Sequence, residues 1–130
     1  FTPIVGRGSA YADLDGDGDL DLVFTQLHGP PLLLRNDQQL GHHWLRLNLT
    51  GTQSNRDAIG AVVTVKSGGL TQERMVTPSR SYLSQSTLDV TFGLGKAEEV
   101  ESLTVRWPSG KVTEVAAADL TVDRRLEVAE

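Results

Sequence analysis

From Trp44 onward, hydrophobic and polar residues alternate with the period of two that is typical of β-strands. Leu45, Leu47 and Leu49 share one face of the first such strand, and the residues between them are polar. Further strands are predicted at residues 59–65, 71–77, 89–94, 103–107, 111–115 and 124–128, with Gly68 and Gly69 as a hairpin turn and 116–120 as the one candidate helical piece. Many short strands separated by Gly and Pro turns predict an all-β fold, an antiparallel β-sandwich or barrel-like domain.

The first 37 residues follow a different plan. Two short apolar segments flank an acidic loop, and a third apolar run, Leu32 to Leu34, comes after Gly29, Pro30 and Pro31. The polar residues from Asn36 to Gln39 then interrupt the pattern. We therefore predict two domains: residues 1–40 as a strand-loop-strand unit, and residues 41–130 as the larger β domain.

The loop between the first two apolar segments contains five aspartates at every second position. They are Asp13, Asp15, Asp17, Asp19 and Asp21. The chain has 17 acidic and 12 basic residues, so without these five the charges would balance at 12 each. Carboxylates this close together raise each other's pKa and destabilise a compact turn unless a cation neutralises them. The loop is therefore a candidate cation site.

The spacing of the aspartates favours calcium. Asp13, Asp15 and Asp17 occupy positions 1, 3 and 5 of such a loop, Gly18 permits a sharp turn at position 6, and Asp19 can offer its backbone carbonyl at position 7. Asp21, at position 9, completes the predicted ligand set. The alternatives are a solvated acidic turn without an ion, and magnesium, whose octahedral geometry suits smaller ligand sets.

This loop is not an EF-hand. That motif requires a bidentate acid at position 12, which is Phe24 here, and it requires flanking helices instead of β-rich segments. We therefore interpret the loop as a strand-loop-strand calcium site.

Composition excludes several other classes. A chain of 130 residues without cysteine has neither disulfides nor thiolate metal sites, and it has no basic cluster of the kind that binds nucleic acid. It has no apolar run long enough for a membrane span, so we predict no membrane insertion. The start at Phe1 suggests a processed product or an excised fragment. A site with several carboxylates favours a calcium-rich setting outside the cytoplasm.

Two family resemblances cover nearly the whole chain. The segment GRGSAYADLDGDGDLDLVFTQLHGPPLLLRND (6–37) resembles one FG-GAP or VCBS-type repeat, the calcium-loop blade of integrin-like β-propellers. The remainder, with SNRDAIGA, SYLSQS, FGLG and WPSG in order, resembles the ASPIC/UnbV domain. The resemblance implies an extracellular or cell-surface (secreted), calcium-dependent structural or adhesion module, with ligand roles for the five aspartates.

A single blade raises a further expectation. Repeat units bury their hydrophobic faces against neighbours, so an isolated blade is expected to be unstable. Its open β edges could bind a protein partner or a second copy of the chain, and such self-association would build filaments.

No catalytic site is predicted, so the chain is not expected to be an enzyme. His42 and His43 are adjacent on a strand and point to opposite faces, which disfavours joint metal chelation with or without His28. The serines of residues 81–86 lack a nucleophile-elbow pattern. Five acids on one turn have the wrong geometry for glycoside hydrolysis, which needs two carboxyl groups facing each other across a sugar.

Two binding alternatives remain open. Trp44, Tyr82 and Trp107 could stack on sugar rings, as in a carbohydrate-binding module of a larger secreted protein, although large aromatic residues more often belong to the core. Arg56 and Asp57 are expected to form a local ion pair in a loop that either serves as a partner contact or is merely ordered.

Overall fold

The computed structural model describes residues 3–130 and confirms the all-β fold. Its one helical piece is a single 3₁₀ turn at Ala117–Asp119, within the segment predicted as a candidate helix. The strands are β1 Gly6–Ala12, β2 Asp21–Gln26, β3 Leu32–Leu34, β4 His43–Thr50, β5 Val62–Ser67, β6 Leu70–Met75, β7 Ser79–Ser81, β8 Ser84–Gln85, β9 Val90–Gly95, β10 Ser102–Arg106, β11 Val112–Val115 and β12 Arg124–Ala129.

The described residues divide into two compact units. The first unit consists of the chain up to Gln38 together with Pro78–Thr87, and the second consists of Gln39–Thr77 and Leu88–Glu130. Residues 78–87 were predicted to belong to the second domain. The structure groups them with the first because the β7–β8 segment is hydrogen-bonded to β1.

The first unit contains an antiparallel three-stranded sheet in the order β1-β2-β3. The outer edge of β1 is partly covered, since Ser9 N donates to Ser81 Oγ (3.2 Å) and Tyr11 N donates to Ser86 Oγ (3.3 Å). Among the described residues, every buried hydrophobic side chain belongs to the second unit. The first unit therefore has no buried hydrophobic core among these residues.

The second unit is a sandwich of two sheets, in the orders β11-β10-β5-β6 and β12-β4-β9, and neither sheet closes into a barrel. The inward residues of both sheets form one hydrophobic core, with Leu45 and Phe92 from one sheet and Val63 and Val105 from the other fully buried. The predicted inward face of β4 is confirmed. One pairing departs from the antiparallel prediction, because β12 runs parallel to β4.

A carboxylate clasp joins two loops of the second unit to the end of β12. Glu130 Oε2 accepts the backbone N–H groups of Thr52 (2.9 Å), Gln53 (2.7 Å) and Ser54 (2.6 Å), and its Oε1 accepts the hydroxyls of Ser54 and Ser109. Desolvation opposes ionisation of this half-buried side chain, but the hydrogen bonds outweigh it and lower the pKa of Glu130 to about 2. The end of β12 is thereby fastened to the β4–β5 and β10–β11 loops.

Replacing Glu130 by glutamine is expected to remove a pH-dependent part of the stability of the second unit. The folded pKa of about 2 lies below the ordinary value of 4.5, so the ionised clasp contributes fully above pH 4.5 and its contribution is lost as the pH falls toward 2. The difference between wild type and Glu130→Gln, measured as the urea midpoint at a series of pH values, should therefore shrink across this window.

Glu127→Gln is the matched control, because Glu127 lies on β12, shortly before Glu130, with its side chain 67% exposed. This variant should follow the wild-type profile closely. A Glu130→Gln deficit of equal size at both ends of the pH window would contradict the role of the ionised clasp.

Candidate metal centre

The acidic loop connects β1 to β2, and its backbone turns through two glycines. Gly16 and Gly18 have φ values of 82° and 101°, in the left-handed region that residues with a side chain rarely adopt. The turn predicted at Gly18 is therefore present. The alternating spacing lets the aspartates lie around a curled backbone instead of along an extended strand.

The aspartates order this loop through local hydrogen bonds. Asp13 accepts the N–H of Gly16 through Oδ1 (2.8 Å) and that of Gly18 through Oδ2 (3.1 Å). Asp17 Oδ1 accepts the N–H of Asp19 (2.9 Å), and Asp15 Oδ1 forms a longer contact of 3.4 Å with Asp17 N. Such side-chain to backbone bonds favour turns over regular structure.

Asp21 has a different environment from the other four aspartates. Its side chain is buried, with the residue 1% exposed, and both carboxylate oxygens accept backbone N–H groups. Oδ2 accepts Leu14 N and Oδ1 accepts Asn36 N, both at 2.9 Å. Asp21 therefore connects the start of the acidic loop to the segment that follows β3.

Carboxylate oxygens converge in two groups that share Asp15. Oxygens of Asp13, Asp15 and Asp21 lie within 4.8 Å of one another, and so do oxygens of Asp15, Asp17 and Asp37. Two ligands on opposite sides of one calcium ion are separated by about 4.6–5.2 Å, twice the usual Ca–O distance. The spacing and the all-oxygen donor set thus fit calcium, with Asp13, Asp15 and Asp21 as the side chains that would hold it.

Charge repulsion is visible at Asp19. Desolvation raises the pKa of this carboxyl group, and the charges of Asp17, Asp13, Asp21 and Asp15 raise it further. The side chain of Asp19 belongs to neither oxygen group. This position is compatible with the predicted use of its backbone carbonyl, and the predicted roles of all five aspartates as ligands stay predictions.

Arg35 and Asp37 also lie at this site, although neither was predicted as a site residue. Arg35 Nε lies 2.7 Å from Asp37 Oδ1 and 3.8 Å from Asp15 Oδ2, and the hydrogen bond to Asp37 is the main cause of the raised pKa of Arg35. The sequence feature that could have indicated these two residues was an acidic and a basic residue just after the third apolar run. The spacing of the aspartates within the loop could not reveal these two residues, because they return to the loop only through the path of β3.

Among the other candidate residues, His43, Trp44 and Trp107 contact other side chains of the second unit. His43 Nδ1 lies 2.6 Å from Asp123 Oδ2, and this hydrogen bond is the main cause of the lowered pKa of Asp123. Within residues 3–130 no histidine joins a metal-binding group. Trp107 is in the core at 2% exposure, and Arg46 lies over the ring of Trp44 at 5.0 Å. Trp107 is therefore closed to stacking on a sugar and Arg46 occupies one face of Trp44, whereas Tyr82 is 66% exposed.

Fold and site together define an all-β module with an acidic, calcium-compatible loop. The family model described as ASPIC and UnbV matches residues 51–130, more than half of the chain. The chain therefore belongs to the ASPIC and UnbV family, as its C-terminal resemblance indicated. No helix within residues 3–130 has the length and apolar character needed to cross a membrane.

The chain is also similar to three curated relatives named cartilage acidic protein 1. The relative from Xenopus tropicalis is 36% identical over 132 residues, which cover 95% of this chain and 20% of the relative. Those from Mus musculus and Homo sapiens are each 34% identical over 131 residues, covering 95% of this chain and 19% of each relative. The chain thus spans about one-fifth of the length of the relatives it matches.

Proposed function

We propose that this chain is a calcium-binding structural or adhesion module of an extracellular or cell-surface protein, without catalytic activity of its own. The observation that carries the proposal is the convergence of oxygens from Asp13, Asp15 and Asp21 within 4.8 Å. The first unit is proposed to be an FG-GAP or VCBS-type repeat, which its strand-loop-strand geometry supports. The name of the three relatives, which refers to cartilage, supports an extracellular setting.

The structural role of the ion follows from what surrounds it. The first unit lacks buried hydrophobic side chains among residues 3–130, so the free energy of its folded state depends on hydrogen bonds and on the loop. Desolvation raises the pKa of Asp19 and charge repulsion raises it further, and an ion bound to the carboxylates would cancel this repulsion. Calcium would thus stabilise the turn that joins β1 to β2.

Self-association is the second part of the proposal, and the structure narrows where it would occur. The outer edge of β1 is partly covered by Ser81 and Ser86, whereas within residues 3–130 no strand pairs with the outer edge of β3. Leu33 on β3 is 61% exposed. A strand from a second copy, or from another protein, would add to the sheet at β3.

Calcium titration of the chelator-treated chain by calorimetry tests the proposal. We expect saturable binding, weakened roughly tenfold or more by Asp15→Asn, because Asp15 belongs to both oxygen groups and affinity follows the number of charged ligands. Asp15 is exposed, so the variant should keep its fold. Asp119→Asn, an exposed change in the 3₁₀ turn of the second unit, should bind calcium like the wild type.

Absence of binding heat, or equal affinity in Asp15→Asn and wild type, would rule out this calcium site. Light scattering on the same samples examines self-association independently. A particle that is strictly monomeric both with calcium and with chelator would eliminate that part of the proposal and leave the ion site standing.

A further inference from the structure

The second unit contains a polar pocket beside the loop that connects β4 to β5. Its volume is ≈ 210 Å³, and it is lined by Asn48, Leu49, Thr50, Arg56, Asp57 and Leu88. This volume is below the roughly 300–1,000 Å³ of pockets that hold drug-sized ligands. A ligand of this pocket would therefore be small.

The loop beside the pocket is held in one conformation by its own hydrogen bonds. Ala58 N donates to Asn55 O (2.9 Å), and the Asn55 side chain both accepts from Ile59 N (2.8 Å) and donates to Ile59 O (2.9 Å). Gly51 N donates to Arg56 O (3.0 Å). A Cβ atom at Gly51 would lie 2.1 Å from Asn55 O, so this contact requires glycine. The loop is thus preorganised.

Two further features restrict the conformation of this loop. Ala58 has a φ of 52°, in the left-handed region that costs a residue with a side chain of order 1 kcal/mol or more. The Glu130 clasp fastens residues 52–54 in the same loop. A segment constrained this strongly loses little conformational entropy when it binds a ligand.

The two charged residues at the tip of this turn take no part in these side-chain bonds. Arg56 and Asp57 are both exposed, and within residues 3–130 the structure gives neither side chain a hydrogen bond or an ion pair. The ion pair expected between them from the sequence is therefore not formed. Arg56 and Asp57 are adjacent in one turn, and both line the pocket without forming an ion pair with each other.

The charges of the pocket restrict the chemistry of its ligand. A simple anion would gain from Arg56 and lose against Asp57, and a simple cation would do the reverse. A hydroxyl group both donates and accepts, so neighbouring hydroxyls can donate to the Asp57 carboxylate and accept from the Arg56 guanidinium. Thr50 offers a further hydroxyl. Asn48 Nδ2 donates to Asp89 (2.8 Å), which leaves the Asn48 carbonyl oxygen as an acceptor.

We propose that this pocket binds a neutral polyhydroxylated ligand, a single sugar ring, through Arg56 and Asp57. This site is separate from the calcium loop and goes beyond the proposed structural role. It also differs from the aromatic stacking surface considered from the sequence, because none of its lining residues is aromatic. Without a stacking platform the affinity depends on hydrogen bonds, so the dissociation constant is expected in the millimolar range.

Nuclear magnetic resonance titration of the whole ¹⁵N-labelled chain tests this site. The probes are glucose, galactose, mannose and N-acetylglucosamine, with glycine as a zwitterion and acetate as a simple anion. At least one sugar should shift the amide resonances of Thr50, Arg56 and Asp57 in a saturable way. Arg56→Ala and Asp57→Ala should each weaken the response about tenfold, while Arg106→Ala, an exposed change on β10, should leave it intact.

The remaining outcomes would overturn the proposal. Shifts produced by glycine or acetate, but by none of the sugars, would assign the pocket to charged ligands. A sugar response that survives in both loop variants would place binding elsewhere, and the absence of any response would leave the pocket without this function. Spectra of the variants that match the wild type outside the loop will show that the fold is intact.

Discussion

Replacing Asp21 by alanine is expected to destabilise the first unit by about 2–6 kcal/mol, even with calcium removed by a chelator. The change leaves the N–H groups of Leu14 and Asn36 without their acceptor, and each unpaired group that is shielded from water costs about 1–3 kcal/mol. The first unit has no buried hydrophobic core among residues 3–130 that could offset this loss. Local unfolding around β1 and β2 is the expected consequence.

Amide hydrogen exchange resolved by residue measures this effect, because it reports the opening of each unit separately. Protection of β1 and β2 should fall at least about thirtyfold in Asp21→Ala, since each 1.4 kcal/mol is a factor of ten. Asp37→Ala is the control, because both Asp37 and its partner Arg35 are largely exposed and such an ion pair contributes little to stability. Unchanged protection in Asp21→Ala would contradict the structural role of this carboxylate.

The effect of added calcium distinguishes the hydrogen-bonding role of Asp21 from its proposed role as a calcium ligand. At a free concentration one hundred times the dissociation constant, an ion that binds only the folded state adds about 2.7 kcal/mol of stability. The wild type should show this gain on addition of calcium, and Asp21→Ala should lose most of it. If Asp21→Ala is destabilised in chelator but gains as much stability from calcium as the wild type, the hydrogen-bonding role of Asp21 stands. Asp21 is then excluded as a calcium ligand.

Replacing Trp107 by alanine is expected to destabilise the second unit by about 3–5 kcal/mol, the usual cost of truncating a buried aromatic side chain. Trp107 is 2% exposed and belongs to the core between the two sheets. Its indole N–H donates to Thr113 Oγ1 at 2.8 Å, so the change also breaks a bond between β11 and the residue just after β10. The loss combines a cavity with an unpaired hydroxyl.

The measurement is urea unfolding followed by circular dichroism, with amide exchange of β4, β5 and β10 to assign the loss to the second unit. Tyr82→Ala removes an aromatic side chain that is 66% exposed, and it should change stability by no more than about 0.5 kcal/mol. A Trp107→Ala variant within 1 kcal/mol of the wild type would mean that the core fills the space left by the indole.

Local pattern was sufficient to predict most of the second unit. Alternation predicted β4 and its buried leucines, and the glycine pair predicted the turn between β5 and β6, where Gly68 and Gly69 have φ values of 56° and 74°. The strand predicted at residues 59–65 begins only at Val62 in the structure, and Ile59 is 42% exposed. The reason is that the positive φ values of Ala58 and Gly60 keep this segment out of the strand.

Features that depend on distant pairing could not be predicted from local pattern. The Glu130 clasp joins residues 76 to 78 positions apart, and the parallel pairing of β12 with β4 is equally remote in sequence. At the acidic loop, spacing indicated the five aspartates as candidates, but it did not show that Asp17 groups with Asp37 and not with Asp13. Asn36 and Asp37 reach the loop only through the path of β3. Alternation specifies which face of a strand is buried, but not its neighbour.

Because Pro78–Thr87 belongs to the first unit, this unit combines segments that are far apart in the sequence, which affects its folding during biosynthesis. Ser9 and Ser81 are 72 positions apart, and Tyr11 and Ser86 are 75 apart, yet both pairs hold the edge of β1. A ribosome releases β1 long before it has made the serines that cover this edge. The first unit therefore cannot finish folding until Ser86 has been translated, and during this interval the edge of β1 is open to chaperones or to a neighbouring nascent chain.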